Sequence, residues 1–153
     1  MPAHDQPSVE NEIRQRMASS PFHVSMGITV EEVRDGAVDL RLDARPDHAN
    51  LLGTVHGGVL ATLLDTAAGL AVRSAIPPGS RHVSVNLDVQ YLAPASTGVL
   101  LATGLVVRMG RRIAFAEADV TDAGGEVVAR AQVTIAVSPP KVEEAPEETA
   151  GGQ

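Results

Sequence analysis

The segment spanning residues 56–75 constrains the fold most, because it has the pattern of a long helix with almost no polar face. At about 100° per residue, apolar side chains cover most of its circumference and leave a sector of about 100°. That sector holds Gly58, Thr62, Asp65, Thr66, Gly69 and Arg73. Pro77-Pro78-Gly79 ends the helix. The rest of the chain must therefore enclose the helix, and the narrow polar sector is left for a cleft, a partner or a ligand.

Segments with the periodicity of strands flank this helix on both sides. Asp35-Gly36 is a two-residue hairpin signal between two alternating stretches, and four further alternating stretches follow the helix. The predicted strands span residues 27–34, 37–44, 82–92, 99–108, 113–121 and 127–137. In the third strand, the alternation predicts one face of Val83, Val85, Leu87, Val89 and Tyr91 and an opposite face of His82, Ser84, Asn86, Asp88 and Gln90. This order of elements predicts an α+β fold.

The length of 153 residues fits one domain, which we place at residues 1–138. Near its start, residues 8–19 carry apolar side chains at spacings of four, and this pattern predicts a short amphipathic helix that ends before Pro21. Residues 139–153 contain four Glu and one Lys among Pro, Ala and Gly. This composition predicts a disordered acidic tail.

Charge and composition exclude several classes of function. A net charge of −7 argues against a general nucleic-acid binder, which needs a basic face. No run approaches the roughly 18 uncharged apolar residues of a membrane span, and the first residues lack the pattern of a signal peptide. We therefore expect a cytoplasmic protein without a membrane partner. Cysteine is absent, and His48 and His56 lack the spacing of metal ligands, so neither a thiolate nucleophile nor a metal site is expected.

Two features of the long helix suggest that it carries reactive groups of a catalytic site. His56-Gly57-Gly58 stands at its start, where the first amides have no partner within the helix and point at nearby negative charge, such as a carbonyl becoming an oxyanion. The alternative is that the glycines only permit a tight turn and close packing. Asp65 could simply mark the solvent-facing side of the helix. The Gly and Thr residues around it favour a reactive carboxylate, because an ordinary exposed face carries Lys, Glu and Arg.

The spacing of these two features has a consequence for assembly. Gly57 and Asp65 are about 12 Å apart along a helix at about 1.5 Å per residue, whereas a nucleophile and its carbonyl meet at roughly 3–3.5 Å. One helix cannot bring both groups to the same carbonyl. If they cooperate, the amide and the carboxylate come from two chains whose long helices run antiparallel, which predicts a twofold dimer with two equivalent sites.

Five pieces of sequence together resemble the hot-dog-fold acyl-CoA thioesterases, and most closely the phenylacetic-acid-degradation and 4-hydroxybenzoyl-CoA thioesterase group. These pieces are the loop at Asn50, His56-Gly57-Gly58, Leu64-Asp65, the strand at residues 83–94, and Gly110-Arg111-Arg112. The resemblance covers about residues 20–138. It implies an antiparallel sheet wrapped around a long central helix, a homodimer that often pairs into a tetramer, an acyl-CoA substrate and no cofactor.

Carried over by position, the resemblance assigns roles to individual residues. The Gly57 amide would polarise the thioester carbonyl, with Asn50 and His56 shaping or assisting that site. Asp65 of the neighbouring subunit would be the nucleophile or the general base for water. Gly58, Thr66 and Ser84 would line the substrate site. Aromatic residues make up only 2% of the chain, so an aliphatic or mixed acyl group is expected at least as much as an aryl group.

Arg108, Arg111 and Arg112 form the densest basic cluster and are candidates for binding the phosphates of coenzyme A. The alternative is that they are solvated charges at the end of a hairpin. Two other functions are alternatives. One is a hot-dog hydratase or dehydratase acting on thioesters, which the His56-Gly57-Gly58 arrangement disfavours because those relatives typically use a different loop pattern. The other is a non-catalytic acyl-CoA binding or sensing protein with the same cleft. Release of free thiol separates them, because only a thioesterase produces it.

Overall fold

The computed structural model describes residues 6–142. Within this range the chain begins with two helices, α1 (Gln6–Ser19) and α2 (Pro21–Met26), and continues with the hairpin of β1 (Ile28–Arg34) and β2 (Ala37–Ala44). A 3-10 turn at Pro46–His48 precedes the long helix α3 (Gly57–Ala75), and β3 (Arg81–Tyr91), β4 (Gly98–Met109), β5 (Ile113–Thr121) and β6 (Val127–Ser138) follow it. Most of the predicted acidic tail, from residue 143 onward, lies outside the described residues.

The strands form one antiparallel sheet that encloses α3. Their order is β1-β2-β4-β5-β6-β3, so β1 and β3 are the edge strands. Each pair of neighbours is antiparallel. The helix contacts all six strands. The predicted α+β fold, a sheet wrapped around a long helix, is therefore confirmed.

Small and aliphatic residues let α3 pack closely on the sheet. Leu63, Leu64 and Ala67 of the helix are fully buried. On β4, Gly104 lies directly against the helix backbone, where an added Cβ would overlap the Ala67 carbonyl. The helix is long and apolar enough to cross a membrane by length and composition alone, but 56% of this stretch is buried within the same chain.

The polar sector of α3 is only partly open, which corrects the expectation for Arg73. Its side chain is 2% exposed and donates to the Glu12 carboxylate of α1 at 2.6 Å. It also donates to the carbonyls of Ile76 and Pro77, which follow the helix. Arg73 therefore links α1 to the C-terminal end of α3 through this ion pair. Its buried guanidinium is not available to a ligand. The rest of the sector is exposed at Gly58 and half-buried at Thr62, Asp65, Thr66 and Gly69.

The predicted faces of β3 are wrong over the first half of the strand. A bulge between Ser84 and Asn86 inserts Val85 and reverses the alternation. As a result His82 and Ser84 turn toward α3, whereas Val83 and Val85 are 62% and 59% exposed. Beyond the bulge, Leu87 and Val89 pack against the core as expected. The bulge places polar side chains against the helix at the level of its carboxylate.

The short helix α2 was not predicted. Pro21 occupies its first turn, and Gly27 ends it in the left-handed conformation, with φ of 80°. The Gly27 amide donates to the carbonyls of His23 and Val24. The helix thus connects α1 to β1 and carries His23 against α3.

Candidate active site

A rigid loop delivers the start of α3. The Asn50 side chain organises it: its oxygen accepts from the amides of Leu52 and Thr54, at 2.9 and 3.1 Å, and its Nδ2 donates to Thr54 Oγ1 at 2.9 Å. Buried His48 also supports the loop, because its carbonyl accepts from the His56 amide at 2.8 Å. Asn50 therefore shapes the loop before Gly57, and one of its two Nδ2 hydrogens is not used within the loop.

The two glycine amides at the start of α3 differ in their partners. His56 is the N-cap residue, and its Nδ1 accepts from the Gly58 amide at 2.8 Å. The Gly57 amide donates to no acceptor within residues 6–142. The Gly57 carbonyl accepts from the Tyr91 hydroxyl at 2.9 Å. The Gly57 N–H is therefore a fixed donor that is left for a ligand.

A cleft of about 360 Å³ opens at this donor. Asn50, Gly57, Leu60, Tyr91 and Pro94 are among the residues that line it. The Tyr91 ring lies directly over Gly57, so a Cβ at position 57 would approach it to 3.1 Å. The cleft thus combines an unpaired helix amide with aliphatic walls and one aromatic ring. The carboxylate of the same chain does not line it.

Asp65 is held two helical turns further along α3. Ser84 Oγ donates to Asp65 Oδ1 at 2.7 Å, a contact that exists because the β3 bulge turns Ser84 toward the helix. Asp65 is half-buried. Beside it, Thr66 Oγ1 lies 3.3 Å from Nε2 of His23 on α2. The predicted residues Asp65, Thr66 and Ser84 therefore cluster, with a serine hydroxyl fixing one carboxylate oxygen.

Two imidazoles feel the charge of this carboxylate, His23 beside Thr66 and His82 beside Gly69, and burial lowers the pKa of both. For His23, burial lowers the pKa below 6.5 and the Asp65 charge opposes this shift. For His82, burial is again the main cause, the charges of Arg73 and Arg16 lower the pKa further, and those of Asp65 and Glu12 oppose the shift. Both rings are therefore neutral near pH 7.

The arginine cluster lies at the turn between β4 and β5. Arg108, Arg111 and Arg112 are all exposed, and none of them forms an ion pair with a carboxylate in the described part of the chain. The Arg112 carbonyl accepts a hydrogen bond from the Val137 amide. In the sheet, Val137 of β6 lies opposite His82, near the beginning of β3. The turn therefore lies at the end of the sheet near Ser84 and Asp65, away from the Tyr91 end where Gly57 lies.

The structure brings three further residues to the site: Tyr91, His82 and His23. Tyr91 belongs to the alternating pattern of β3, and nothing in that pattern indicates its bond to Gly57. His82 was placed on the wrong side of the strand because of the bulge. His23 lies on the unpredicted helix α2. Among residues 6–142, no three His, Asp or Glu side chains cluster in a way that could hold a metal ion.

Comparisons with known proteins identify the family. A family model described as a domain of unknown function (DUF4442) matches residues 11–137. An esterase candidate from Halobacterium salinarum is 45% identical over 100 residues, which cover 62% of this chain and 66% of that protein, just under two thirds of its length. Human acyl-coenzyme A thioesterase 13 is 32% identical over 109 residues, which cover 70% of this chain and 77% of the relative.

A solved structure agrees with these matches. Zebrafish thioesterase superfamily member 2 is similar with a TM-score of 0.74 and 32% identity, covering 82% of this chain and 96% of that one. The sheet that encloses α3 is thus shared with a protein of the thioesterase superfamily. The chain belongs to the hot-dog-fold thioesterases, as the resemblance in its sequence predicted.

Proposed function

We propose that this protein hydrolyses acyl-CoA thioesters at sites that two copies of the chain build together. The observation that carries this proposal is the unpaired Gly57 amide at the start of α3, combined with the Asp65 carboxylate held by Ser84 two turns later. The 32% identity to a human acyl-coenzyme A thioesterase supports the substrate class. In each site, Gly57 of one copy polarises the thioester carbonyl and Asp65 of the other copy promotes attack.

The chemistry follows from where these groups lie. Asp65 accepts a proton from a water molecule, whose oxygen adds to the thioester carbon, or the carboxylate adds to that carbon directly. The carbonyl oxygen becomes negative, and the fixed Gly57 N–H stabilises this charge. The carbon–sulfur bond then breaks, and the thiolate of coenzyme A takes up a proton. In the water route this step gives the free acid, whereas in the direct route it leaves an acyl anhydride on Asp65, which a water molecule hydrolyses to the acid and the free carboxylate. Ser84 keeps one oxygen of Asp65 oriented throughout.

Two features support a twofold dimer. Gly57 and Asp65 are separated by about 12 Å along one straight helix, which is too far for both to act on one carbonyl. In addition, β3 is an edge strand that carries exposed Val83 and Val85. Antiparallel approach of two α3 helices along this edge would bring Gly57 of each copy to Asp65 of the other.

The exposed arginines at the β4–β5 turn are proposed to bind the phosphates of coenzyme A. Arg111→Ala combined with Arg112→Ala should raise KM for CoA esters more than for the matching pantetheine esters, which lack those phosphates. Arg41→Ala provides a control, because Arg41 is paired with Asp43 on β2. An equal rise in KM for both ester types would contradict phosphate binding.

The primary test is thiol release from acyl-CoA esters of several chain lengths and from aryl esters. Asp65→Asn should lower turnover by at least about 100-fold with substrate binding retained. Asp88→Asn is the matched control, because Asp88 is exposed on the outer face of β3. A wild-type protein that binds acyl-CoA without releasing thiol would instead indicate a sensor. Hydration of an enoyl thioester without thiol release would indicate a hydratase.

A pair of substitutions isolates the Gly57 amide. Proline is tolerated at the first position of a helix but has no N–H, so Gly57→Pro removes the donor there. Gly57→Ala introduces the same Cβ beside Tyr91 and keeps the amide. We expect Gly57→Pro to lower turnover about 100-fold relative to Gly57→Ala, the range for loss of one oxyanion donor. Equal turnover in both variants would exclude the amide from the reaction.

Mixing the two inactive variants tests whether the sites are shared. In an equimolar mixture of freely exchanging dimers of Gly57→Pro and Asp65→Asn chains, half of the dimers are mixed and one of their two sites is intact. Activity should therefore recover to about a quarter of the wild-type value. A mixture that forms dimers yet stays inactive would show that each site belongs to one chain.

A further inference from the structure

His23 is held at both of its ring nitrogens beside the carboxylate of α3. Its Nδ1 lies 2.7 Å from Ser20 Oγ, and its Nε2 lies 3.3 Å from Thr66 Oγ1. Thr66 directly follows Asp65. The imidazole therefore connects the N-terminal segment to the helical turn that bears the carboxylate.

The sequence around α2 favours this placement of the imidazole. Ser20 is the N-cap residue of α2, yet its hydroxyl forms no capping bond to the helix and is paired with His23 instead. Pro21 and Gly27 limit the helix to six residues. A serine at this position ordinarily stabilises the helix start. Here its hydroxyl fixes the orientation of a ring that contacts a different helix.

The arginines near His23 are paired with carboxylates, so Asp65 is the charged group that shifts the pKa of His23. On α1, Arg14 and Arg16 are paired with Glu10 and Glu12. Arg45, which reaches the Ser25 carbonyl of α2, is paired with Asp47. On β3, His82 is the titratable group near Asp65. Burial lowers the pKa of His23 and the Asp65 carboxylate opposes this shift, so the ring is neutral near pH 7.

We propose that His23 is a positioning residue for the hydrolysis, which orients the Thr66 hydroxyl beside Asp65. This inference rests on the proposed function, because it assigns the reaction to Asp65. In the operative tautomer Ser20 donates to Nδ1, and the Nε2 hydrogen is donated to Thr66 Oγ1. The Thr66 hydroxyl proton is then left to bond the water or substrate at Asp65.

Protonation of His23 would impair the site. An imidazolium next to Asp65 stabilises the carboxylate charge and makes that carboxylate a weaker base or nucleophile. Turnover should therefore fall at acidic pH as the ring becomes charged. If His23 had only a structural role, its protonation would not contribute to the pH dependence of turnover.

The test uses two amides that each replace one ring nitrogen. The amide nitrogen of Gln lies near the position of Nε2, so His23→Gln retains a donor to Thr66. The amide of Asn lies near Nδ1, so His23→Asn retains the contact with Ser20 only. At pH 7.5 we expect His23→Gln to stay within about threefold of the wild-type kcat, and His23→Asn to lose about tenfold in kcat with KM little changed. His23→Gln should also lose the acid inflection due to the ring.

Thr66→Val provides an independent check. If His23 acts through Thr66, the losses in kcat from His23→Asn and Thr66→Val should not add in the double variant. Equal kcat in the Gln and Asn variants, or a His23→Gln pH profile identical to that of the wild type, would overturn the inference. Asp65→Asn, measured alongside, separates the two proposals. If it stays active, the proposed function fails, whereas an inactive Asp65→Asn with an unchanged His23→Gln profile refutes only the role of His23.

Discussion

At the scale of single residues, the site depends on hydrogen bonds that reach across the sequence. Ser84 donates to Asp65 because one extra residue in β3 reverses the alternation of its side chains. Tyr91, on the same strand, donates to the Gly57 carbonyl at the start of α3. Asp65 and Gly57 could be singled out from the sequence, because a carboxylate among Gly and Thr and a glycine pair at a helix start are local patterns. The resemblance also pointed to Ser84, but the bonds of Ser84 to Asp65 and of Tyr91 to Gly57 have no local signal, because they depend on the register of a distant strand.

Tyr91 offers a test at this scale. Tyr91→Phe keeps the ring over Gly57 and removes only the donor to its carbonyl. A neutral hydrogen bond contributes roughly 0.5–1.5 kcal/mol, so loosening the first residue of α3 should lower kcat by about threefold to tenfold. Steady-state kinetics of thiol release measures this loss, with the thermal midpoint as a check that the fold is retained. An unchanged kcat would show that the hydroxyl does not position the amide.

At the scale of elements, the long helix and the β1–β2 hairpin follow from local signals, since both are bounded by Gly or Pro and have a clear period. The helix α2 has only six residues, too few for a period to be detected. The bulge in β3 arises from pairing with β6 and has no local signal. The polar sector of α3 was recognised, but its far end is occupied by Arg73 and α1, a contact between elements that are far apart in sequence.

The close packing of α3 on β4 predicts that the chain needs a glycine at position 104 for its stability. Gly104→Ala would place a Cβ onto the Ala67 carbonyl, and because two backbone segments meet there, no flexible side chain can move aside. We expect a loss of about 1–3 kcal/mol or more in the free energy of unfolding, measured with urea. Gly124→Ala is the control, because its Cβ would lie 3.4 Å from its nearest neighbour and should have a small effect. Equal stability of both variants would mean that the sheet can move away from the helix.

At the scale of the whole molecule, the distance along α3 is the property that the sequence predicted most directly, because the rise of a helix is independent of its surroundings. One chain places the Gly57 cleft and the Asp65 cluster at different levels of α3, and the arginine turn lies toward the Asp65 end. A second copy with an antiparallel helix would join the cleft of one chain to the carboxylate and arginines of the other. The oligomer itself stays a prediction, to be tested by the mixing experiment.

The stability of the whole molecule should depend on pH through two half-buried histidines, His23 and His82. Burial holds the pKa values of His23 and His82 below 6.5 in the folded chain, while the unfolded chain restores the ordinary value. Between the folded and unfolded pKa values the unfolded state binds more protons, so stability rises with pH in that window and is lost as pH falls through it. The lowered pKa of Glu12 acts in a separate window, below 4.5.

Urea midpoints measured from about pH 7.5 down to about pH 5.5 should therefore decrease steadily in the wild type. His23→Gln combined with His82→Gln should flatten this decrease, because neither replacement takes up a proton, whatever its effect on stability at pH 7.5. Each single variant should remove part of the slope, because the two rings lie on different elements and titrate largely separately apart from their shared neighbour Asp65. A double variant with the full wild-type slope would place the pH dependence in other groups.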